Sequence, residues 1–393
     1  MSKQLYNFDQ QHNRRGTNSY KWDQSEKLFG DKDILPLWVA DMDFQCPPAV
    51  VEAITKRAAE GIYGYTVKNE SYTEAITGWF KRRHGWEIQP EWLTDCPGIV
   101  PALSIAVDQF SKPGSPVILQ SPVYYPFYDV IRMNGREIAD NPLILQDSYY
   151  TIDYGHLEEQ MQAGAKLMLL CSPHNPGGRV WKREELIRIG ELCQKYDVTV
   201  VSDEIHCDIV HKGHKHIPFA SISEEFAQIS LTCVAPTKTF NIPGIPISFI
   251  VTPNPKLKRS FDHKLKTLSI HMVNFFAPAI VEACYNESEE WLEQMISYVA
   301  ANADYAIKFI EERLPQLSAM RPEGSYLLWV DCRKLNLDTA GIKDLMHNRA
   351  KVAFNEGSTF GSATGQGFVR INLACPRTTL QEALERFARA IHS

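Results

Sequence analysis

In the stretch CVAPTKTFNIPG, residues 233–244, Lys238 sits between two threonines, after an apolar run and before a Gly/Pro turn. A lysine is ordinarily a solvated surface charge. At the end of a buried strand, with its pKa lowered by burial or neighbouring cations, it can instead form a Schiff base with a carbonyl. Asp203 closes a second apolar run, VTVVSDEIH, where an acid can cap a helix, join a salt bridge or face a cationic ring nitrogen. Asn175 closes a third, AKLMLLCSPHNP, just before Pro-Gly-Gly, a turn signal in its own right. TDCPGIVPALSIAV passes from a turn into a helix-like run, so the N–H groups of Ile99 and Val100 can face an anion. Tyr124, in SPVYYPFY, offers an aromatic face as readily as it fills a core. Each residue has an ordinary structural reading alone. Together, a Schiff-base lysine, an acid for a ring nitrogen, an amide donor and an anion-ready helix start meet the needs of pyridoxal 5'-phosphate.

These residues share one edge only if their runs are strands of one sheet. SPVILQSP, AKLMLLCSPHNP, VTVVSDEIH and ISLTCVAPTK read as buried strands, and the amphipathic KREELIRIGELCQKYD lies between the second and third. That alternation predicts an α/β protein with a mostly parallel sheet flanked by helices, and such sheets bind ligands beyond the carboxyl ends of their strands. A helix starting at PPAVVEAITKRAAEG stops near Gly61. A long helix near ESEEWLEQMISYVAANADYAIKFIEERL leads to strand-like SYLLWVDC, helix-like TAGIKDLMHNRA, strand-like GFVRINLA and a last helix, TLQEALERFARAIH. The expected organisation is an N-terminal arm with part of a small domain over 1–45, a large domain over 46–285 and a small α+β domain over 286–393.

At 393 residues, with 41 basic against 47 acidic side chains and a formal charge of −6, the chain has no long basic block for nucleic acid. No apolar run reaches the roughly 18 residues of a membrane span, and the N-terminus lacks a signal-peptide core. Nine cysteines without a C-x-x-C pair suit a reducing compartment. A cytoplasmic protein acting on small molecules, without nucleic-acid or membrane partners, is the expectation. HCDIVHKGHKH, from His206 to His216, holds four histidines without the spacing of a recognised metal motif, so no metal is expected.

The ordered set SPHNPGG, SDEIH, PTKTFN and RINLACPR resembles the fold-type I, class I/II aminotransferase superfamily of pyridoxal-phosphate enzymes. LPLWVADMDF, YGYT and the histidine in SDEIH bring the resemblance nearer to the MalY/PatB group of cystathionine β-lyases. The resemblance implies that Lys238 carries the cofactor and moves the Cα proton. Asp203 would pair with the ring nitrogen, Asn175 would bond the ring hydroxyl oxygen, and Tyr124 would stack on the ring. Ile99, Val100 and Thr237 would hold the phosphate. Arg370 would bind the substrate carboxylate, as its planar fork suits, aided by the Ala40 N–H and by Asn175. Tyr65 would reach the phosphate of a neighbouring subunit, which implies a homodimer with shared sites. His206 stands where typical transaminases carry a tyrosine, and Pro246 where many relatives carry a phosphate-binding arginine.

Transamination and β-elimination share their opening steps, so these residues alone do not choose between them. The subgroup resemblance favours cleavage of a Cβ–S bond in cystathionine or a related cysteine S-conjugate. The alternatives are an aminotransferase for an aromatic or neutral amino acid, and a cofactor-containing scaffold that binds a regulatory protein.

Overall fold

A seven-stranded sheet, its central strands too apolar to face water on either side, sets the architecture. In the computed structural model, which describes residues 5–393, the seven strands are β1 (Leu93–Cys96), β2 (Pro116–Leu119), β3 (Glu137–Asp140), β4 (Leu167–Cys171), β5 (Thr199–Asp203), β6 (Ser230–Val234) and β7 (Ser248–Val251). They form one sheet in the order β1-β7-β6-β5-β4-β2-β3. Only β7 runs antiparallel to its neighbours, the other pairings being parallel. Every residue of β4 and β6 is buried, as expected of strands covered by helices on both faces. The four strands read from the sequence are β2, β4, β5 and β6. The fold class is the expected one.

Six strands point the same way, so their carboxyl ends meet along one edge. There β1 leads through Gly98 into the helix α1 (Ile99–Phe110). Gly98 has φ +154°, a conformation side chains disfavour, and this turn brings the first residues of α1 to the strand ends. At the same edge β6 leads into a single helical turn, α2 (Pro236–Thr239), which carries Lys238.

A second, antiparallel sheet has strands β8 (Ser318–Met320), β9 (Leu327–Asp331), β10 (Asn355–Glu356) and β11 (Phe368–Asn372), in the order β8-β9-β11-β10. The 25-residue helix α3 (Glu289–Arg313) precedes it and buries Trp291, Leu292, Met295, Val299, Ala303, Ala306 and Ile310, spaced by three and four residues as one apolar stripe requires. The closing helix, α4 (Arg377–His392), packs against it and buries Leu380, Leu384 and Phe387.

The N-terminal stretch is built into this smaller sheet's surroundings rather than trailing from it. Leu35–Pro36 pairs in parallel with Val352–Ala353, and Phe8 packs edge-on against Trp291. Residues 1–4 of the expected arm lie outside the described residues. Lys21, on a short helix in the arm, is fully buried and bonds Asp43 at 2.7 Å and Asp41 at 3.4 Å. Arg14 joins both acids at 2.8 Å. A buried ammonium is tolerated only with such partners, so the ion cluster fixes where the arm meets the segment Trp38–Phe44.

Candidate active site

The strand ends enclose a cavity of about 240 Å³. Lys238, Asp203, Asn175 and Tyr124 line it, together with His206, Thr237, Ala40 and the first residues of α1, Ile99 and Val100. Sequence residues far apart thus converge because each follows the carboxyl end of a strand or lies against that edge. Two of the expected residues sit elsewhere. Arg370, on β11, reaches the site through Asn175. Tyr65 is 95% exposed in a segment outside the cavity of its own chain.

Lys238 Nζ donates to the Ala40 carbonyl at 2.5 Å. Burial lowers its pKa to about 8; Asp41 and Asp203 oppose that shift and Arg370 reinforces it. A lysine near neutrality holds a substantial share of free amine at physiological pH, the form that attacks carbonyls and takes protons.

Asp203 is 4% exposed, and burial lifts its carboxyl to about 7. Its side chain accepts a hydrogen bond from the Ile205 N–H at 3.2 Å, and among the described residues it has no salt-bridge partner. Arg370 presents the opposite case. It is 3% exposed, and burial lowers its pKa to about 10. It donates to Asn175 Oδ1 at 2.9 Å, to the Trp38 carbonyl at 3.0 Å and to Asn355 Oδ1 at 2.5 Å, and its Nε is buried without a partner. Its guanidinium meets no carboxylate among the described residues. A buried acid and a buried cation, each without a direct ion pair, are both costly unless a ligand completes them.

His206 is neutral, since burial pushes its pKa down to about 3, with Lys238 and Arg370 adding to the shift. Its Nδ1 lies 3.3 Å from Ser325 Oγ and its ring packs edge-on against Tyr326. A neutral imidazole there supplies a ring face and a hydrogen bond, not a charge. The other histidines of HCDIVHKGHKH diverge: His211 bonds the Ser325 carbonyl, His214 lies near Glu323, and His216 bonds Glu204. Ala40 touches the site through its carbonyl, which also accepts the Tyr326 hydroxyl at 2.9 Å.

The loop carrying Asn175 is clamped from behind. Gly178, at φ +69°, packs so closely on Pro322 that a Cβ would lie 2.9 Å from the Pro322 Cα. Arg179 bonds Glu323 and Glu185, and the Val180 N–H donates to Glu323 at 2.8 Å. Neither Arg179 nor Tyr326 stood out in the sequence. The signal for Arg179 was present in NPGGR, where an arginine directly after a paired glycine turn has little else to anchor.

The residues fit pyridoxal 5'-phosphate on their own chemistry. Asp203 is a buried acid that a cationic ring nitrogen would satisfy, and Tyr124 supplies an aromatic wall. Lys238 is the sole cation among the residues lining this cavity. A phosphate there must be held by the N–H groups at the start of α1 and by the Thr237 hydroxyl.

The model of the aminotransferase class I and II family matches residues 32–387, and the chain belongs to that family. Among its relatives, cystathionine β-lyase PatB of Bacillus subtilis (strain 168) is 44% identical over 386 residues, covering 98% of this chain and 100% of PatB. Cystalysin of Treponema denticola, solved with a pyridoxal 5'-phosphate cofactor, superposes with a TM-score of 0.96 at 39% identity, covering 99% of each chain. The pyridoxal-phosphate-bound C-S lyase of Staphylococcus hominis gives 0.92 at 32% identity, again over 99% of each.

Proposed function

We propose that this protein is a pyridoxal 5'-phosphate-dependent carbon–sulfur lyase acting on cystathionine or a related cysteine S-conjugate. The observation that carries the reading is a pair of buried charged groups without ion-pair partners among the described residues, Asp203 and Arg370, both within electrostatic reach of an amine with a lowered pKa. Its similarity to a cystathionine β-lyase and to C-S lyases, over nearly the full length of each, selects elimination rather than transamination. Bound in this cavity, the cofactor supplies the electron sink that protein side chains lack.

Arg370 takes the substrate carboxylate in its fork and, with Asn175, fixes the rotation about Cα. Lys238 removes the Cα proton, a role suited to a base titrating near the working pH. Asp203, as a carboxylate, would hold the ring nitrogen of the bound cofactor protonated, the form in which the ring can serve as an electron sink. The Cβ–S bond then breaks with its electron pair on sulfur, and Lys238 returns a proton. With one water consumed, the products are a thiol, pyruvate and ammonia.

The enzyme acts as a homodimer in the cytoplasm, with Tyr65 serving the neighbouring subunit's phosphate. Supporting the dimer, Ile62, Tyr63, Tyr65 and Val67 form an exposed apolar run, 63–95% exposed. Among the described residues no helix is long and apolar enough to cross a membrane. The test is thiol release from a panel of cysteine S-conjugates by wild type and Lys238→Ala. Wild type should release thiol with pyruvate, and the variant should fall by at least about a thousandfold. Equal rates for the two proteins would remove Lys238 from the chemistry.

A further inference from the structure

The segment Trp38–Phe44 is held carbonyl by carbonyl from two sides. From β11, Arg370 bonds the Trp38 carbonyl at 3.0 Å, and Asn372 Nδ2 bonds the carbonyls of Val39 and Asp41, each at 2.6 Å. From the Lys238 loop, Asn241 takes the other end. Its Oδ1 accepts the Met42 N–H at 2.9 Å, and its Nδ2 donates to the carbonyls of Met42 at 3.1 Å and Phe44 at 2.6 Å. Between these anchors lies the Ala40 carbonyl, which accepts Lys238 Nζ. Asn241 also has φ +55°, the left-handed region that asparagine enters more readily than most residues.

We propose that Asn241 is a positioning residue, locking the 42–44 backbone onto the Lys238 loop so that the Ala40 carbonyl stays in contact with Nζ. The inference rests on Lys238 being the reactive amine. Asn372 secures the half of the segment nearest the carboxylate fork, and Asn241 secures the half nearest the base. The charged and titratable groups around Nζ are Asp41 on this segment, Asp203 at the end of β5, His206 beyond it, Arg370 on β11, Tyr326, whose hydroxyl shares the Ala40 carbonyl, and Tyr124 in the cavity wall. Both contributions from the segment, the Ala40 acceptor and the Asp41 charge, favour the ammonium form against burial. Releasing the segment weakens both.

The test compares wild type with Asn241→Gly, which keeps the left-handed backbone and deletes the three hydrogen bonds. Lys238 reactivity toward an amine-labelling reagent is followed against pH in the cofactor-free proteins by mass spectrometry. The expected result is an apparent pKa lower by about one unit in the variant. Hydrogen exchange should rise across 38–44. In the cofactor-loaded enzyme kcat should fall about tenfold with KM within about twofold, because the carboxylate anchors are untouched. A merely structural asparagine would lower the melting temperature and leave the Lys238 titration in place. An unchanged or raised Lys238 pKa in a folded variant overturns the proposal. Should the glycine variant fail to fold, the neutral Asn241→Ser, whose short side chain lacks the amide that donates to Met42 and Phe44, is read by the same labelling. Labelling needs no turnover, so an inactive wild type would count against the lyase reading alone.

Discussion

Asp203 and Lys238 have been moved toward each other on the pH scale by burial, the acid up to about 7 and the base down to about 8. For Asp203 the consequence for stability can be signed. Between its unfolded pKa near 3.9 and its folded value, the native state binds more protons than the unfolded chain, so stability falls as pH rises through that window. The full penalty is present above about pH 7, on the order of 4 kcal/mol in the cofactor-free protein. Asp203→Asn removes it. Denaturant midpoints of the cofactor-free proteins should therefore converge near pH 4 and separate toward pH 8, with the asparagine variant the more stable. The same variant should lose cofactor on dialysis, since a neutral amide cannot hold a ring nitrogen protonated. Parallel pH profiles for the two proteins would mean that Asp203 is not a buried, uncompensated acid. Lys238 has the opposite sign, its penalty being relieved as pH rises from about 8 toward 10.4.

Among the elements, the arm departs furthest from its sequence. SYKWD reads as a polar approach to the fold, yet Lys21 is 0% exposed and its ammonium bonds Asp43 across 22 residues of sequence. No local pattern announces that meeting, because it depends on where WVADMDF is laid down by β11. Lys21→Met should cost about 3 kcal/mol in chemical denaturation, since it takes one of the two cations, Lys21 and Arg14, from a pair of acids. A loss under about 0.5 kcal/mol would mean that the arm docks without its ion cluster. Lys238, Asp203 and Asn175 were legible for the opposite reason. A buried, largely apolar strand ends abruptly, and the chemically capable residue at or just after its end must lie at the ligand edge. β1 was missed because LTDC is short and half-buried, and β7 because it follows two prolines and runs against the sheet. Arg370 was legible only through the resemblance, since a strand arginine is usually a surface pair. Its burial belongs to the packing of β11 against the site.

At the scale of the whole molecule, Tyr65 and the Lys238 of the same chain should serve different sites. Co-expressing Tyr65→Ala with Lys238→Ala yields mixed dimers in which one site draws Tyr65 from one subunit and Lys238 from the other. Random pairing should restore about a quarter of wild-type activity, while each variant alone stays low. No recovery would place Tyr65 outside the partner's site. The lyase claim turns on the fate of the Cβ–S bond when both reactions are allowed. The decisive measurement is the product balance of the cofactor-loaded enzyme given cystathionine together with a 2-oxo acid. Thiol, pyruvate and ammonia should appear in equal amounts while the added 2-oxo acid is unconsumed. Stoichiometric conversion of that 2-oxo acid into its amino acid, with no thiol released, would contradict the assignment.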